Sequence, residues 1–163
     1  MPEQTIVLSR HIDAPVEQVW DVLTDLNALT DRLSGTRSVH IMTSGPYAVG
    51  TRWRQTRTSF GRASTQEMWV AGNDPLRSTV VESSSPGPDP RVTPDARVTW
   101  ELTPGDGTEL RVSVVSTSAD EGQARPWSAI LGPLEVWATR TAIERDLDDI
   151  DAAARALSSA GGG

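Results

Sequence analysis

The chain has 163 residues, enough for one domain with a real core, and 22 acidic against 15 basic side chains give it a net charge of −7. Every base is an arginine, which excludes a lysine-dependent phosphate loop and Schiff-base chemistry. The absence of cysteine excludes disulfides, thiolate nucleophiles and thiolate metal sites.

An acidic chain without a basic cluster is a poor match for nucleic acid or an anionic membrane surface. Two histidines, His11 and His40, are too few for a histidine-rich zinc centre, so no metal or cofactor is expected. The polar start Met1-Pro-Glu-Gln has no signal-peptide pattern, and no apolar stretch is long enough to span a bilayer. A reduced, cytoplasmic setting is expected, with one domain over residues 1–158 and a flexible tail over 159–163.

Residues 5–12 are β-rich and read as a strand. Asp13 is then placed to cap a helix whose early Pro15 needs no amide donor. Val16, Val19, Trp20 and Leu23 form its apolar stripe. A second short helix carries Leu26, Leu29 and Leu33, with Gly35 as its stop. Strand signals follow at 38–43, 51–58 and 62–71, with turns at Ser44-Gly-Pro46 and Ser59-Phe-Gly61. The turn Gly72-Asn-Asp-Pro75 precedes a strand at 76–82. The proline-rich stretch from 83 to 95 cannot sit inside a sheet. Strands at 97–103 and 109–117 flank the loop Pro104-Gly-Asp-Gly107, so the sheet reads as an antiparallel meander. A helix over 126–157 repeats Ile143, Leu147, Ile150, Ala154 and Leu157 at steps of three and four. Its stripe continues upstream through Trp127, Leu131 and Leu134, with a bend expected at Gly132-Pro133. Glu144, Asp146, Asp148, Asp149 and Asp151 read as its solvated face.

The segments Ile12-Asp-Ala-Pro-Val-Glu-Gln-Val-Trp20, Val49-Gly-Thr-Arg-Trp53, Phe60-Gly-Arg62, Glu67-Met-Trp-Val70, Asp74-Pro75 and Leu102-Thr-Pro104 carry a resemblance. In this order the chain resembles the START-like (SRPBCC) superfamily, in its polyketide cyclase/dehydrase and lipid-transport branch. The resemblance implies an α+β helix-grip fold, a curved antiparallel sheet (β-α-α-β6-α) wrapped around a long C-terminal helix, with a hydrophobic cavity between them. It brings no universal catalytic set.

If Phe60-Gly61 forms the hairpin loop, positions summing to 121 pair. Trp53 then faces Met68, Gln55 faces Gln66 and Arg57 faces Ser64, while Arg54 faces Glu67 on the opposite side. Burying the Arg54–Glu67 pair costs several kcal/mol in desolvation, whereas outside it contributes only ~0.2–1 kcal/mol. The face with Trp53, Met68 and Val70 is therefore assigned inward. A five-residue loop in the last hairpin sets Leu102 opposite Leu110 and Trp100 opposite Val112, and adds Trp100, Val112 and Val114 to the inner wall. Trp127, Leu131 and Leu134 face this wall from the helix.

Trp53, Trp100 and Trp127 suit either core packing or stacking against a planar polycyclic ligand. Gln55 and Gln66 need partners on that wall, which a ligand can supply. Arg57 is either a rim arginine in water or a holder of a ligand oxygen. Glu82 and His40 are the candidate proton-transfer groups, unless their strands turn them outward. The connection over 83–95, the hairpin at Phe60 and residues 118–125 are expected to frame a mobile entrance. Three functions fit: a cyclase or dehydratase of secondary metabolism, a carrier or sequestering protein using the same cavity, and a co-chaperone-like interaction domain with a filled interior and an apolar patch at Trp69.

Overall fold

The sequence alternates two geometries, short helices at the start and a meander in the middle, and one long helix must cover both. In the computed structural model, which describes residues 3–59, 61–84, 96–117 and 126–161, with side chains of the last helix from Thr139 onward, it does so. Strand β1 (Glu3–Ile12) leads to helix α1 (Val16–Thr24), a single 3-10 turn (Leu26–Ala28) and α2 (Leu29–Arg32). Then come β2 (Thr36–Ile41), β3 (Arg52–Ser59), β4 (Arg62–Asp74), β5 (Ser78–Ser84), β6 (Ala96–Gly105), β7 (Gly107–Thr117) and α3 (Pro126–Gly161). The seven strands form one antiparallel sheet in the order β1-β7-β6-β5-β4-β3-β2. Each hairpin lays the next strand beside the last, and only β1 breaks the sequence by pairing with β7. This is the helix-grip arrangement that the resemblance implies.

Several local expectations are corrected. Pro15, not Asp13, occupies the cap of α1, and no side chain closes it. The Pro15 carbonyl instead accepts from the N–H groups of Gln18 and Val19, at 3.1 and 3.3 Å. Gly35 is not a left-handed stop, since α2 ends at Arg32 and Leu33 is already extended. A bulge between Val70 and Gly72 lets β4 run on to Asp74, so the turn falls at 75–77, with Leu76 at φ 70°. The last hairpin is tighter than a five-residue loop: its ladder continues to Gly105 opposite Gly107. Helix α3 extends to Gly161, past the expected helix end at 157.

Gly107 is required twice. Its φ is 84°, a region that costs side chains ~1 kcal/mol or more, and a Cβ there would lie 2.5 Å from the Ile12 carbonyl.

The core lies on the concave face of the sheet. Ile12 and Leu110 (each fully buried) and Leu147 and Ile150 (2 and 1 % exposed) are among its most deeply buried large side chains. Each contributes on the order of 1.5–3 kcal/mol by leaving water. Helix α3 turns Ile143, Leu147, Ile150 and Ala154 to that core. Its acidic face is only partly solvated. Asp148 and Asp151 pair with Arg10 of β1, and Asp149 accepts from the Ser34 amide and hydroxyl at 2.9 and 2.8 Å. Asp146 points inward and is 6 % exposed, which corrects the reading of that run as a solvated face.

Candidate ligand-binding site

Strand alternation sorts side chains between two faces. The β3–β4 register pairs Trp53 with Met68, Gln55 with Gln66 and Arg57 with Ser64, and all six line a cavity of about 400 Å³. Trp100, Val112 and Val114 complete the wall from β6 and β7, and Leu23, Leu26, Leu29 and Leu33 close it from the short helices. The other face of the same strands is charged. Arg54 lies 3.6 Å from Glu67, Thr56 bonds Thr65 at 2.8 Å, and the Arg52 guanidinium stands 5.0 Å above the Trp69 ring.

Several polar groups, Ser64, Gln66 and Ser83 among them, interrupt the apolar wall, and three polar arrangements there are held by side-chain hydrogen bonds. The first is an ion pair: Arg57 Nη2 donates to both Asp146 oxygens at 2.8 Å. One nitrogen holds the whole carboxylate, and among the described residues the Nε and Nη1 hydrogens of Arg57 have no other acceptor. Burial pushes the Asp146 carboxyl above its ordinary value of 3.8, against the pull of Arg57 in the other direction. The second is a relay in which Trp53 Nε1 donates to Gln55 Oε1 at 3.0 Å and Gln55 Nε2 donates to Thr36 Oγ1 at 3.0 Å. The third is Tyr47, whose hydroxyl lies 2.7 Å from Thr79 Oγ1. The Thr79 hydroxyl donates to the Gly72 carbonyl, so Tyr47 is the donor. Burial raises the phenol above its usual 10.0, although the Thr79 bond opposes this, so it stays protonated at neutral pH. Its ring packs 6.5 Å from that of Trp53.

The structure separates the expected candidates. Trp53, Gln55, Gln66, Met68, Trp100, Val112 and Val114 border the cavity together with Arg57. Glu82 does not: it follows Val81 and precedes Ser83, which face inward, so alternation turns it out. There it pairs with Arg97 at 2.8 Å and accepts from Trp69 Nε1 at 3.1 Å. His40 stands opposite Arg54 in the outward row and is exposed. Neither is placed to move a proton in the cavity. The side chains of Trp127, Leu131 and Leu134 lie outside the described residues, as do Phe60, 85–95 and 118–125, where the entrance was expected. Asp146 is the residue that sequence reasoning missed. The signal was present, because Asp146 lies three residues after Ile143 and four before Ile150 on the apolar stripe.

Among the described residues no helix is long and apolar enough to cross a membrane, and no group of His, Asp and Glu gathers that could hold a metal. A buried carboxylate beside a guanidinium with spare donors can exchange a proton with a bound molecule and hold an oxygen that becomes anionic.

Solved structures share this architecture. The ZhuI aromatase/cyclase from Streptomyces sp. R1128 superposes with a TM-score of 0.76 at 20% identity, over 98% of this chain and 99% of that one. The di-domain ARO/CYC BexL from the BE-7585A biosynthetic pathway gives 0.73 at 17%, over 93% of this chain and 50% of that one. The major latex-like protein 151 of Panax ginseng gives 0.70 at 10%, over 93% and 97%. At such identities the likeness is one of fold. No curated protein matches the chain. A family model does, over residues 3–157, and with nearly its whole length so matched the chain belongs to the family of polyketide cyclases / dehydrases and lipid-transport proteins.

Proposed function

We propose that the chain binds a planar, hydrophobic small molecule of polyketide type in this cavity and acts on it as a cofactor-independent cyclase or dehydratase. The observation that carries this reading is the Arg57–Asp146 pair on a mostly apolar wall. Aldol ring closure removes a proton from a carbon beside a carbonyl; the resulting enolate carbon attacks a second carbonyl. The new alkoxide takes up that proton and becomes a hydroxyl. Loss of a second proton from the carbon between carbonyl and hydroxyl then forms a carbon–carbon double bond as the hydroxyl departs with that proton as water. Each closure and dehydration thus releases one water. Asp146 would take and return the proton, and its raised pKa brings it nearer to neutral, where a base works best. The spare Arg57 hydrogens would hold the enolate oxygen. Trp53, Gln55 and Arg57 follow one another at steps of two residues, about 6.6–6.8 Å each. That row would keep a reactive chain folded for attack, a proximity effect. The cyclase names of the ZhuI and BexL neighbours agree with this chemistry.

A second reading is a carrier or sequestering protein using the same cavity, favoured by the outward position of Glu82 and His40, which leaves Asp146 as the candidate base. The interaction-domain reading needs a filled interior, which a cavity of about 400 Å³ does not provide, and its seed Trp69 lies under Arg52 and bonds Glu82. The test is to add the protein to a minimal polyketide synthase that releases reactive poly-β-ketones and to follow aromatic products by mass spectrometry. A cyclase shifts the product profile and Asp146→Asn cancels the shift. An unchanged profile with retained binding of planar aromatics selects the carrier.

A further inference from the structure

The indole Nε1 of Trp53 can only donate, and its acceptor is Gln55 Oε1. That bond decides which end of the Gln55 amide is which, a choice that geometry usually leaves open. Nε2 then faces away from the indole and gives one hydrogen to Thr36 Oγ1. Donation therefore runs in one sense, from Trp53 through Gln55 to Thr36. Two hydrogens are left over, the second on Gln55 Nε2 and the hydroxyl hydrogen of Thr36. Among the described residues neither is given another acceptor. Yet Gln55 and Thr36 are 4 and 5 % exposed, so water is not freely available to either. A buried donor without an acceptor carries its full desolvation cost. Gln55 itself borders the cavity, so a ligand is in position to relieve it.

We propose that Trp53 is a positioning residue that locks the Gln55 amide with its NH₂ toward the ligand, so that the cavity selects planar polycyclic molecules bearing a ring carbonyl over their alcohol counterparts. The inference rests on the cavity-ligand reading above and adds the chemical class of that ligand. A ring carbonyl brings two lone pairs to the Gln55 NH₂, which offers only hydrogens. An alcohol brings a hydrogen of its own, which finds no acceptor on that amide end. Discrimination arises because a mismatched ligand leaves buried polar groups unpaired.

The test is equilibrium dialysis of 9-fluorenone and 9-fluorenol, which share a flat ring system and differ at one oxygen. Wild type is expected to bind the ketone about tenfold more tightly. Trp53→Phe frees the amide to turn, and the preference is expected to shrink to within about twofold while both molecules still bind. Gln55→Leu, of similar size and unable to donate, is expected to lose the preference in the same way, and serves if Trp53→Phe does not fold. Equal affinities in wild type, or a tenfold preference that survives in either variant, overturn the assignment and leave the cavity reading intact. Failure of wild type to bind either molecule overturns both.

Discussion

Two arginine–carboxylate pairs sit on opposite faces of the same sheet. Outside, Arg97 meets Glu82 at 2.8 Å, with the arginine and carboxylate side chains 59% and 13% exposed. Inside, Arg57 meets Asp146 at the same distance, with the arginine and carboxylate side chains 28% and 9% exposed, so the pairs differ mainly at the arginine. The contacts match, but the surroundings differ. Water screens the outer pair, which stays a modest surface contact. The inner pair is screened less, and burial of its carboxyl raises the Asp146 pKa, so either partner becomes costly to remove. Environment, more than contact distance, separates a structural ion pair from one with chemical potential.

The largest expected break in this comparison is Asp146→Asn. If Asp146 is the base, turnover should fall by about 10²–10⁴-fold with ligand affinity nearly unchanged, as read from product formation and dialysis. Arg57→Ala leaves a buried carboxylate without its cation, and urea denaturation should show a loss of about 1–3 kcal/mol. Tyr47→Phe removes one buried donor, and Thr79 keeps its bond to Gly72, so a loss of about 0.5–1.5 kcal/mol is expected. Glu82→Gln, on the outer face, should stay within about 1 kcal/mol of wild type and leave ligand binding untouched. A large loss of turnover in that variant would return Glu82 to the mechanism.

The pH dependence sharpens the contrast. The folded chain holds the Asp146 proton more tightly than the unfolded chain, mainly because of burial. Its contribution to stability is therefore complete below 3.8 and is lost as pH rises through the raised folded value. The stability difference between wild type and Asp146→Asn should change in that direction across a urea series at rising pH. The opposite slope would mean that Arg57 outweighs burial. Turnover should fall as acid protonates Asp146, starting above the usual carboxylate range.

Much of this architecture was legible in the residues. The β3–β4 register followed from one turn and from the cost of burying Arg54 with Glu67, and it placed Trp53, Gln55, Arg57, Gln66 and Met68 on the cavity side. Glu82 was not legible, because the bulge after Val70 changes which β5 residue lies opposite which β4 residue. Runs of acids hide individual exceptions. Asp146 sits among four neighbouring carboxylates, and only its place in the helical period distinguishes it. His40 was decidable in principle, since a strand beside the Arg54 row must turn outward every residue opposite that row.

Gly107 carries a consequence for how this chain can vary. A side chain there would collide with the carbonyl that ends β1, at the seam where the first and last strands close the sheet. In a saturation library selected for folded protein, that codon should return glycine alone, while neighbouring Asp106, exposed at the hairpin tip, accepts nearly any substitution. The architecture is thus fixed at a point remote from its cavity, which leaves the inner wall free to diversify toward new ligands.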